Sequence, residues 1–295
     1  MPHILLLGRF GQLGWELERT LAPIGEVTAL DFPEIDLMNL KDLDEIVYLT
    51  RPDVIVNATA YTAVDQAEKD HGTAMALNAD APKRLAELAQ DFESALIHYS
   101  TDYVFDGEKG NPYIEADIPN PLGMYGKSKL AGEQAIEEIG GAYLILRTSW
   151  IYSLRRDSFV TKVLDWARKQ SSLQVVSDQV SNPTWCRMLA EVTAQVLAKA
   201  GEVPTGWMRE RHGLYHLAGS GFTSRFDWAK KILEFDPNPD EQVVQELQPA
   251  KTNDFPTPAQ RPLYSALNCD RFTDTFSLRL PDWEQVLRLA MDTTG

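Results

Sequence analysis

The first half of the chain alternates between short, continuously apolar runs and longer segments in which apolar residues recur every three or four positions. The short runs predict strands at residues 3–7, 26–30, 53–57, 95–100 and 142–147. The longer segments predict helices at residues 14–22, 39–50, 72–92 and 125–139. Strands that are apolar on both faces belong to a parallel sheet covered by helices on either side. The alternation therefore predicts an α/β fold with a doubly wound, Rossmann-type parallel sheet.

This regular alternation ends near residue 152. Strand-like segments at 173–176 and 214–218 are mixed with helical ones at 185–200 and 224–235, and proline-rich stretches occupy 237–239 and 249–262. The mixture predicts a second, smaller and irregular α+β domain that covers the carboxyl ends of the sheet. We therefore assign residues 1–152 to a dinucleotide-binding domain and residues 153–295 mainly to a substrate-binding domain, with some elements of 184–220 returning to the first.

The composition narrows the classes of ligand. The 295 residues, 44% of them hydrophobic, provide enough apolar material for a large core. The 28 basic and 43 acidic residues give a net charge of −15, which repels nucleic acid backbones and anionic lipid. We therefore expect no nucleic acid partner and no membrane association. An anionic ligand would have to be held locally, by helix N-termini, backbone N–H groups or a few Arg and Lys side chains.

Cysteine usage and the N-terminal sequence are typical of the cytoplasm. Cys186 and Cys269 stand alone, without the CxxC or histidine spacing of a disulfide framework or a zinc site. The five histidines are scattered, so we predict no metal site. After Met1 the longest early apolar run, at residues 4–7, is too short for a signal peptide or a membrane span. We therefore predict a cytoplasmic protein with reduced thiols.

A glycine-rich turn follows the first predicted strand and leads into a helix. Gly8, Gly11 and Gly14 are spaced as GxxGxxG, which suits a tight turn, close approach of a diphosphate to the backbone and close packing of helix on strand. Asp31 ends the second strand, 20 residues past Gly11, where a carboxylate accepts from ribose hydroxyls. Such a carboxylate favours NADH, but Arg9 could accommodate a 2′-phosphate. The turn predicts a dinucleotide site that leaves the choice between NADH and NADPH open.

A second pattern carries proton-transfer chemistry. Tyr125 and Lys129 lie four residues apart at the start of a predicted helix and therefore share a face. A neighbouring ammonium favours the phenolate, so we expect Lys129 to lower the pKa of Tyr125 towards neutrality. Thr101 directly follows an apolar strand, at the sheet edge where ligands bind, and could hold a carbonyl oxygen by its hydroxyl. These three residues are the predicted catalytic group.

The motifs together resemble the extended short-chain dehydrogenase/reductase family, in its nucleotide-sugar branch. The resemblance extends over nearly the whole chain, and the Thr-Asp-Tyr-Val-Phe-Asp-Gly block at 101–107 is its most specific part. Within the branch, the likeness is greatest to reductases of dTDP-linked 4-keto-6-deoxy sugars. The matching blocks are residues 8–17, 51–58, 60–68, 100–107, 121–133, 147–152, 178–179, 182–184, 213–217 and 261–262.

The resemblance implies contacts with NADPH or NADH and with the dTDP-linked sugar. Tyr125 would be the proton donor, and Lys129 would adjust it and bind the nicotinamide ribose. For the cofactor, the resemblance assigns Gly11, Gln12 and Leu13, within the turn framed by Gly8 and Gly14, to the pyrophosphate, Asp31 to the ribose, Asp36 and Leu37 to the adenine side, and Ala60, Tyr61 and Thr62 to the length of the dinucleotide. For the sugar nucleotide, it assigns Thr101, Asp102, Trp150 and Arg261. The alternatives are a core residue for Trp150, a turn cap for Asp102 and closure of the proline-rich segment for Arg261.

Two positions depart from the pattern of the family. In some members, glutamates of paired subunits hold a magnesium ion; Glu16 matches one of them, whereas Arg187 stands where the second would align. This argues against a magnesium-bridged dimer and leaves a homodimer of another kind open. Residues 154–157 also lack the glycines expected after the Trp-Ile-Tyr motif, which indicates an altered loop over the substrate.

The resemblance implies reduction at C4 of the sugar, yielding dTDP-L-rhamnose for cell-surface polysaccharide. Rivals on the same scaffold are a nucleotide-sugar 4-epimerase, another keto-sugar reductase and a 4,6-dehydratase. Dehydratases place an Asp-Glu pair after the Thr, and the pair here is Asp102-Tyr103, which disfavours elimination. A rival of another class is a non-catalytic nucleotide-binding regulatory subunit, in which loss of Tyr125 or Lys129 would be expected.

Overall fold

A computed structural model describes residues 1–292 of the protein. The strands are β1 (His3–Leu7), β2 (Glu26–Leu30), β3 (Val54–Asn57), β4 (Ala95–Thr101), β5 (Tyr143–Thr148), β6 (Ile151–Tyr152), β7 (Ser172–Val176), β8 (Val180–Ser181), β9 (Thr184–Trp185), β10 (Gly213–His216), β11 (Thr223–Ser224) and β12 (Glu246–Ala250). The α-helices are α1 (Gln12–Leu21), α2 (Leu40–Thr50), α3 (Val64–Ala67), α4 (His71–Met75), α5 (Ala81–Asp91), α6 (Met124–Ile139), α7 (Phe159–Lys169), α8 (Cys186–Ala200), α9 (Pro204–Arg209), α10 (Arg225–Glu234), α11 (Asp270–Phe276) and α12 (Trp283–Met291).

Six strands form one sheet in the order β10-β5-β4-β3-β1-β2, and every neighbouring pair is parallel. In the middle of β1, Leu5 lies between Thr28 of β2 and Ile55 of β3. The chain moves outward from β1 to β2 and then places β3 on the other side of β1, so the strand order reverses there. In open α/β sheets a ligand crevice lies at the carboxyl ends of the strands beside such a reversal. The predicted doubly wound, Rossmann-type sheet is confirmed.

Helices cover both faces of this sheet because its strands are apolar on both sides. Ile4 and Leu6 of β1 face one cluster together with Leu17 of α1. Leu5 and Leu7 face the opposite cluster, which α2, α5 and α6 complete. Full burial of each such side chain contributes roughly 1.5–3 kcal/mol, so the apolar runs fix the strands in the centre of the fold. No helix within residues 1–292 combines the length and apolar character needed to cross a membrane.

The second half of the chain contributes both to this sheet and to a separate cluster. Strand β10 pairs with β5, placing Gly213 beside Leu144, and α8 packs in the same apolar cluster as α1. Trp228 of α10 is fully buried in a third cluster with elements α7, β7 and α12. The two-stranded pairs β6-β9, β7-β12 and β8-β11 complete this irregular α+β part. It adjoins the carboxyl ends of the sheet through β6, which directly follows β5.

Several stretches differ from the expected elements. The helix predicted at 72–92 runs from α4 to α5 but contains a π-helical segment, Ala76–Asp80. Its buried Asn78 accepts from the backbone N–H of Tyr61 at 2.9 Å and donates to Ser128 at 3.0 Å, so the irregular turn bonds two neighbouring segments. Strand β12 includes Pro249, which a two-stranded edge tolerates because the missing N–H is not needed there. Helices α7 and α12 had no predicted counterpart.

Candidate active site

The glycine turn allows helix α1 to approach strand β1 very closely. Gly8 has φ +94°, in the left-handed region that favours glycine. A Cβ added to Gly14 would lie 1.9 Å from the carbonyl oxygen of Gly8, whereas one added to Gly11 would lie 3.2 Å from the same atom. Gly11 donates its N–H to Gly8 at 3.0 Å and caps α1. The free N–H groups at the start of α1 therefore border an open space at the end of β1.

Asp31, which follows strand β2, stabilises this turn by hydrogen bonds. Its carboxylate accepts from the backbone N–H of Phe10 at 2.9 Å and of Phe32 at 2.8 Å. The two residues assigned to the adenine side by resemblance lie elsewhere: Leu37 is buried in the apolar cluster with α2, and Asp36 accepts from the N–H of Met38. Neither of these two lines the cavity beside the turn.

A cavity of about 780 Å³ opens over the carboxyl ends of β1, β3 and β4. Its walls include these predicted site residues: Gly8, Gly11, Gln12, Leu13, Asp31, Ala60, Thr62, Tyr125 and Lys129. Tyr61 is held apart from it by Asn78, and Gly14 packs behind the turn. Three polar atoms on the walls, Oε1 of Gln12, Oγ of Ser100 and Oγ1 of Thr148, are buried without a hydrogen-bond partner among the described residues. The glycine cradle and these three atoms fit a dinucleotide, which presents many polar groups.

Lys129 extends beneath strand β4. Its Nζ donates to the carbonyl of Tyr99 at 2.6 Å and lies 3.1 Å from Nε2 of His98. Asn57 uses its amide oxygen to accept from the N–H of Thr59, so its NH₂ group is directed at Nδ1 of His98, 3.1 Å away. The proton of the neutral imidazole is then on Nε2, facing Lys129. Burial lowers the pKa of Lys129 to about 8, which agrees with this arrangement.

Tyr125 departs from the expectation that Lys129 would lower its pKa. Burial raises the pKa of Tyr125 above its usual value, and a hydrogen bond with Thr101 opposes the increase. Lys129 does not contribute to this shift, and its Nζ donates to the carbonyl of Tyr99. The expected lowering is therefore wrong, and Tyr125 stays protonated at neutral pH.

Asp102 is enclosed by hydroxyl groups from both halves of the chain. Its carboxylate accepts from Thr101 at 3.2 Å, from Ser181 at 3.1 Å and from Ser265. Only 2% of the residue is exposed, and burial raises its pKa to about 6 against the lowering effect of these hydroxyls. Asp102 thus bonds the end of β4 to β8 and to the segment after the proline-rich stretch. Its assignment to the sugar nucleotide stays a prediction.

A second cavity, of about 530 Å³, adjoins the first at Ile151, which lines both. Trp150 lies on its wall with φ +39° and stacks on Trp228, with ring centroids 5.5 Å apart and planes at 10°. The guanidinium carbon of Arg225 lies 3.8 Å from the centre of the Trp150 ring. Burial among aromatic rings lowers the pKa of Arg225 to about 10, so it still carries a charge at neutral pH. No motif in the sequence singled out Arg225.

Arg261 brings a second cation to the same cavity. It forms an ion pair with Asp65 at 2.7 Å, which fastens the proline-rich segment to α3. Tyr103 forms side-chain hydrogen bonds with both Arg225 and Arg261. The ring of Tyr103 also meets Tyr125 edge-on at 5.8 Å. Tyr125 therefore stands between the glycine turn on one side and two guanidinium groups on the other.

The two residues discussed for magnesium lie on α1 and α8. Burial raises the pKa of Glu16, and the charge of Arg187 opposes the increase. Arg187 forms an ion pair with Glu191 at 3.5 Å. In residues 1–292 there is no group of three or more His, Cys, Asp or Glu side chains that could hold a metal ion.

Comparisons with known proteins bear on this geometry. The chain matches the model of the family described as RmlD substrate binding domain over residues 2–295. A dTDP-4-dehydrorhamnose reductase from Shigella flexneri is 41% identical over 287 residues, covering 96% of this chain and 94% of the relative. The crystal structure of a dTDP-4-dehydrorhamnose reductase from Clostridium acetobutylicum has a TM-score of 0.88 at 33% identity and covers 98% of both chains. That of the Bacillus anthracis protein, in complex with NADP, also has a TM-score of 0.88, at 31% identity and 98% coverage of both chains.

Proposed function

Because the chain belongs to the RmlD substrate binding domain family, we propose that it reduces dTDP-4-dehydro-L-rhamnose to dTDP-L-rhamnose with NADPH or NADH. The observation that carries the proposal is the junction of two cavities at Ile151. One cavity has a glycine cradle with Tyr125 on its wall, and the other has two guanidinium groups; the ring of Tyr103 contacts Tyr125, and its hydroxyl bonds to both guanidinium groups. A reductase of a nucleotide sugar needs both ligands to meet at one proton donor.

The first cavity is proposed to hold the cofactor, whose nicotinamide supplies the hydride when bound. The N–H groups of Gln12 and Leu13 at the start of α1 would bind the pyrophosphate, since the positive end of a helix dipole favours an anion. Ser100 and Thr148 have buried hydroxyls without a partner in the described structure, and these would bond the nicotinamide half. Lys129 lines the same wall and would bind the ribose.

Tyr125 is proposed to donate the proton to the C4 oxygen. Its raised pKa keeps the phenol protonated before the reaction, which suits a group that must give a proton to a developing alkoxide. Thr101 hydrogen bonds with Tyr125 and is fixed by accepting from the N–H of Tyr103 at 3.1 Å. Thr101 would hold the carbonyl oxygen of the sugar beside the phenol by turning its one hydroxyl proton from Asp102 to that oxygen.

The second cavity is proposed to hold the dTDP part of the substrate. Arg225 and Arg261 both lie on its wall. The net charge of −15 repels an anionic ligand, and these two guanidinium groups supply the local attraction that offsets this repulsion. Trp150 provides a flat apolar surface for the sugar or the base. On this proposal residues 1–152 mainly bind the dinucleotide and residues 153–295 mainly bind the sugar nucleotide.

A coupled assay tests the proposed function. The protein is mixed with dTDP-4-keto-6-deoxyglucose, a 3,5-epimerase and either NADH or NADPH, and the absorbance of the reduced nicotinamide is followed. Stoichiometric consumption of the reduced cofactor is expected, with dTDP-L-rhamnose as product. A bound nucleotide that is never consumed would indicate a 4-epimerase, and absence of any turnover would indicate a binding subunit; either result contradicts the proposal.

A further inference from the structure

The loop between β6 and α7 reaches back to the glycine turn. Its base is closed by Ser158, whose hydroxyl donates to the carbonyl of Ser153 at 2.9 Å and accepts from the N–H of Thr161 at 3.3 Å. The second bond is part of a capping box that starts α7. The intervening residues 154–157 are exposed, and the anchored base fixes their direction.

Two arginines at the tip of this loop contact the backbone of the turn. Arg155 donates to the carbonyl of Gly11 at 3.2 Å, and Arg156 donates to the carbonyl of Phe10. The guanidinium carbon of Arg155 also lies 4.7 Å from the centre of the Trp15 ring, at the start of α1. Both arginines line the first cavity. They are therefore fixed at the edge of the space that begins at the N-terminus of α1.

The carboxylates that share the first cavity with these two arginines, Asp31 and Asp157, are not bonded to them in the part of the chain that the structure describes. Within residues 1–292, neither arginine forms an ion pair with an acidic side chain, although the chain has 43 acidic and 28 basic residues. Burial lowers the pKa of Arg155, as do the charges of Arg156 and Arg19, while Glu16 opposes them. Two guanidinium groups and the positive end of α1 thus meet at the edge of the first cavity. Such a gathering of like charges favours an anion between them.

We propose that Arg155 and Arg156 bind the diphosphate of the dinucleotide from the side opposite the helix N-terminus. This inference rests on the proposed function, because it takes the first cavity to be the cofactor site. A guanidinium has five N–H donors, so each side chain can keep its backbone carbonyl and still give paired bonds to a phosphate. Lysine or the glycines of related loops would not provide this geometry. The altered loop at 154–157 is then a cofactor-binding element of this chain.

The position of the two side chains distinguishes the diphosphate from the 2′-phosphate of NADPH. Their acceptors, Phe10 and Gly11, directly precede α1, where the N–H groups that suit a diphosphate are exposed. The 2′-phosphate belongs at the end of β2, and the cation there is Arg9, which donates to the carbonyl of Ala29 and pairs with Glu34 at 3.5 Å. We therefore expect Arg155 and Arg156 to act equally on NADH and NADPH.

Equilibrium titration of the full-length protein with each nucleotide, followed by tryptophan quenching without sugar, tests the inference. The variants are Arg155→Ala, Arg156→Ala and their double, and the matched control is Lys169→Ala. Lys169 is exposed at the end of α7 and pairs only with Asp165 in the described structure, so its loss removes one charge away from the cavity. Each single variant is expected to raise the Kd about tenfold, the range of one charge-assisted hydrogen bond. The double variant should also show a weaker dependence of Kd on salt.

The outcomes separate this inference from the proposed function. An equal increase in Kd for NADH and NADPH, with Lys169→Ala unchanged, supports the diphosphate contact. A Kd no higher than that of Lys169→Ala, or an increase confined to NADPH, overturns it while wild-type binding leaves the proposed function intact. If the wild-type protein binds neither nucleotide, the proposed function fails and this inference fails with it. Because residues 154–157 are exposed, unfolding transitions of the variants should match that of the wild type.

Discussion

Replacement of Gly14 by alanine should damage both the fold and nucleotide binding. The added Cβ would lie 1.9 Å from the carbonyl oxygen of Gly8 and 2.6 Å from its carbonyl carbon, and both atoms belong to the backbone. No side-chain rotation can relieve these contacts. Because the distance of 1.9 Å is much shorter than an ordinary van der Waals contact, α1 must move away from β1 by more than about 1 Å. That movement disturbs the packing of Leu17 in the apolar cluster and the hydrogen bond from Gly11 to Gly8.

The change in the free energy of unfolding of Gly14→Ala is the difference between an overpacking cost and a gain in helix propensity. Overpacking of this kind costs about 3 kcal/mol, the upper part of its usual range, because the clash is with backbone. The better helix propensity of alanine returns about 1 kcal/mol. The free energy of unfolding should therefore fall by about 2 kcal/mol, and the Kd for NADPH should rise at least tenfold because the start of α1 is displaced.

Two other glycines provide matched controls for the same chemical change. A Cβ on Gly72 in α4 would meet nothing within 4 Å, so Gly72→Ala should gain up to about 1 kcal/mol of stability from helix propensity and leave binding unchanged. A Cβ on Gly11 would lie 3.2 Å from Gly8, a contact that a small adjustment relieves, so Gly11→Ala should weaken NADPH binding with little loss of stability. Urea denaturation and nucleotide titration measure the two quantities. If Gly14→Ala were as stable as Gly72→Ala, the close approach of helix and turn described for this site would be refuted.

Three further predictions concern the walls of the site. Trp150→Ala should raise the KM for the sugar nucleotide much more than that for NADPH, and equal increases in steady-state assays would remove Trp150 from the substrate cavity. Lys129→Met should lose turnover and weaken NADPH binding together, because its ammonium lies on the cofactor wall; a variant with unchanged Kd would contradict that role. Burial raises the pKa of Asp102 from 3.8 to about 6, so its contribution to stability is full below about pH 4 and lost as pH rises through 6. Between about pH 3 and pH 7 the wild type should therefore lose about 3 kcal/mol relative to Asp102→Asn, and parallel stability curves for the two proteins would disprove the shift.

The sheet could be predicted from the sequence because burial on both faces leaves a direct pattern. The run at residues 4–7 is apolar at every position, and the structure shows why: alternate residues fill clusters on opposite faces. The π-helical segment left no such pattern. Its extra residue is stabilised by Asn78, whose partners, Tyr61 and Ser128, are distant in the sequence. Helices α7 and α12 are strongly amphipathic, so their periodicity was present in the sequence but was not assigned to helices.

The site residues that belong to a short sequence motif could be predicted from the sequence. Those that only the fold brings together could not. The four-residue spacing of Tyr125 and Lys129 placed both on the wall of one cavity. Their protonation depends on burial, which no spacing reveals. Arg225 is an isolated basic residue in the sequence, and it becomes a candidate only because α10 places it against Trp150.

The most direct measurement of the central claim is single-turnover hydride transfer by Tyr125→Phe with the dTDP-linked 4-keto sugar. The loss of a positioned acid should slow the step by roughly two to four orders of magnitude, while the Kd for NADPH stays within about twofold of wild type. Tyr103→Phe, which alters the neighbouring ring but keeps the proposed donor, should slow hydride transfer far less. If Tyr125→Phe retained more than a tenth of the wild-type rate, another group would have to supply the proton and the account given for this site would be contradicted.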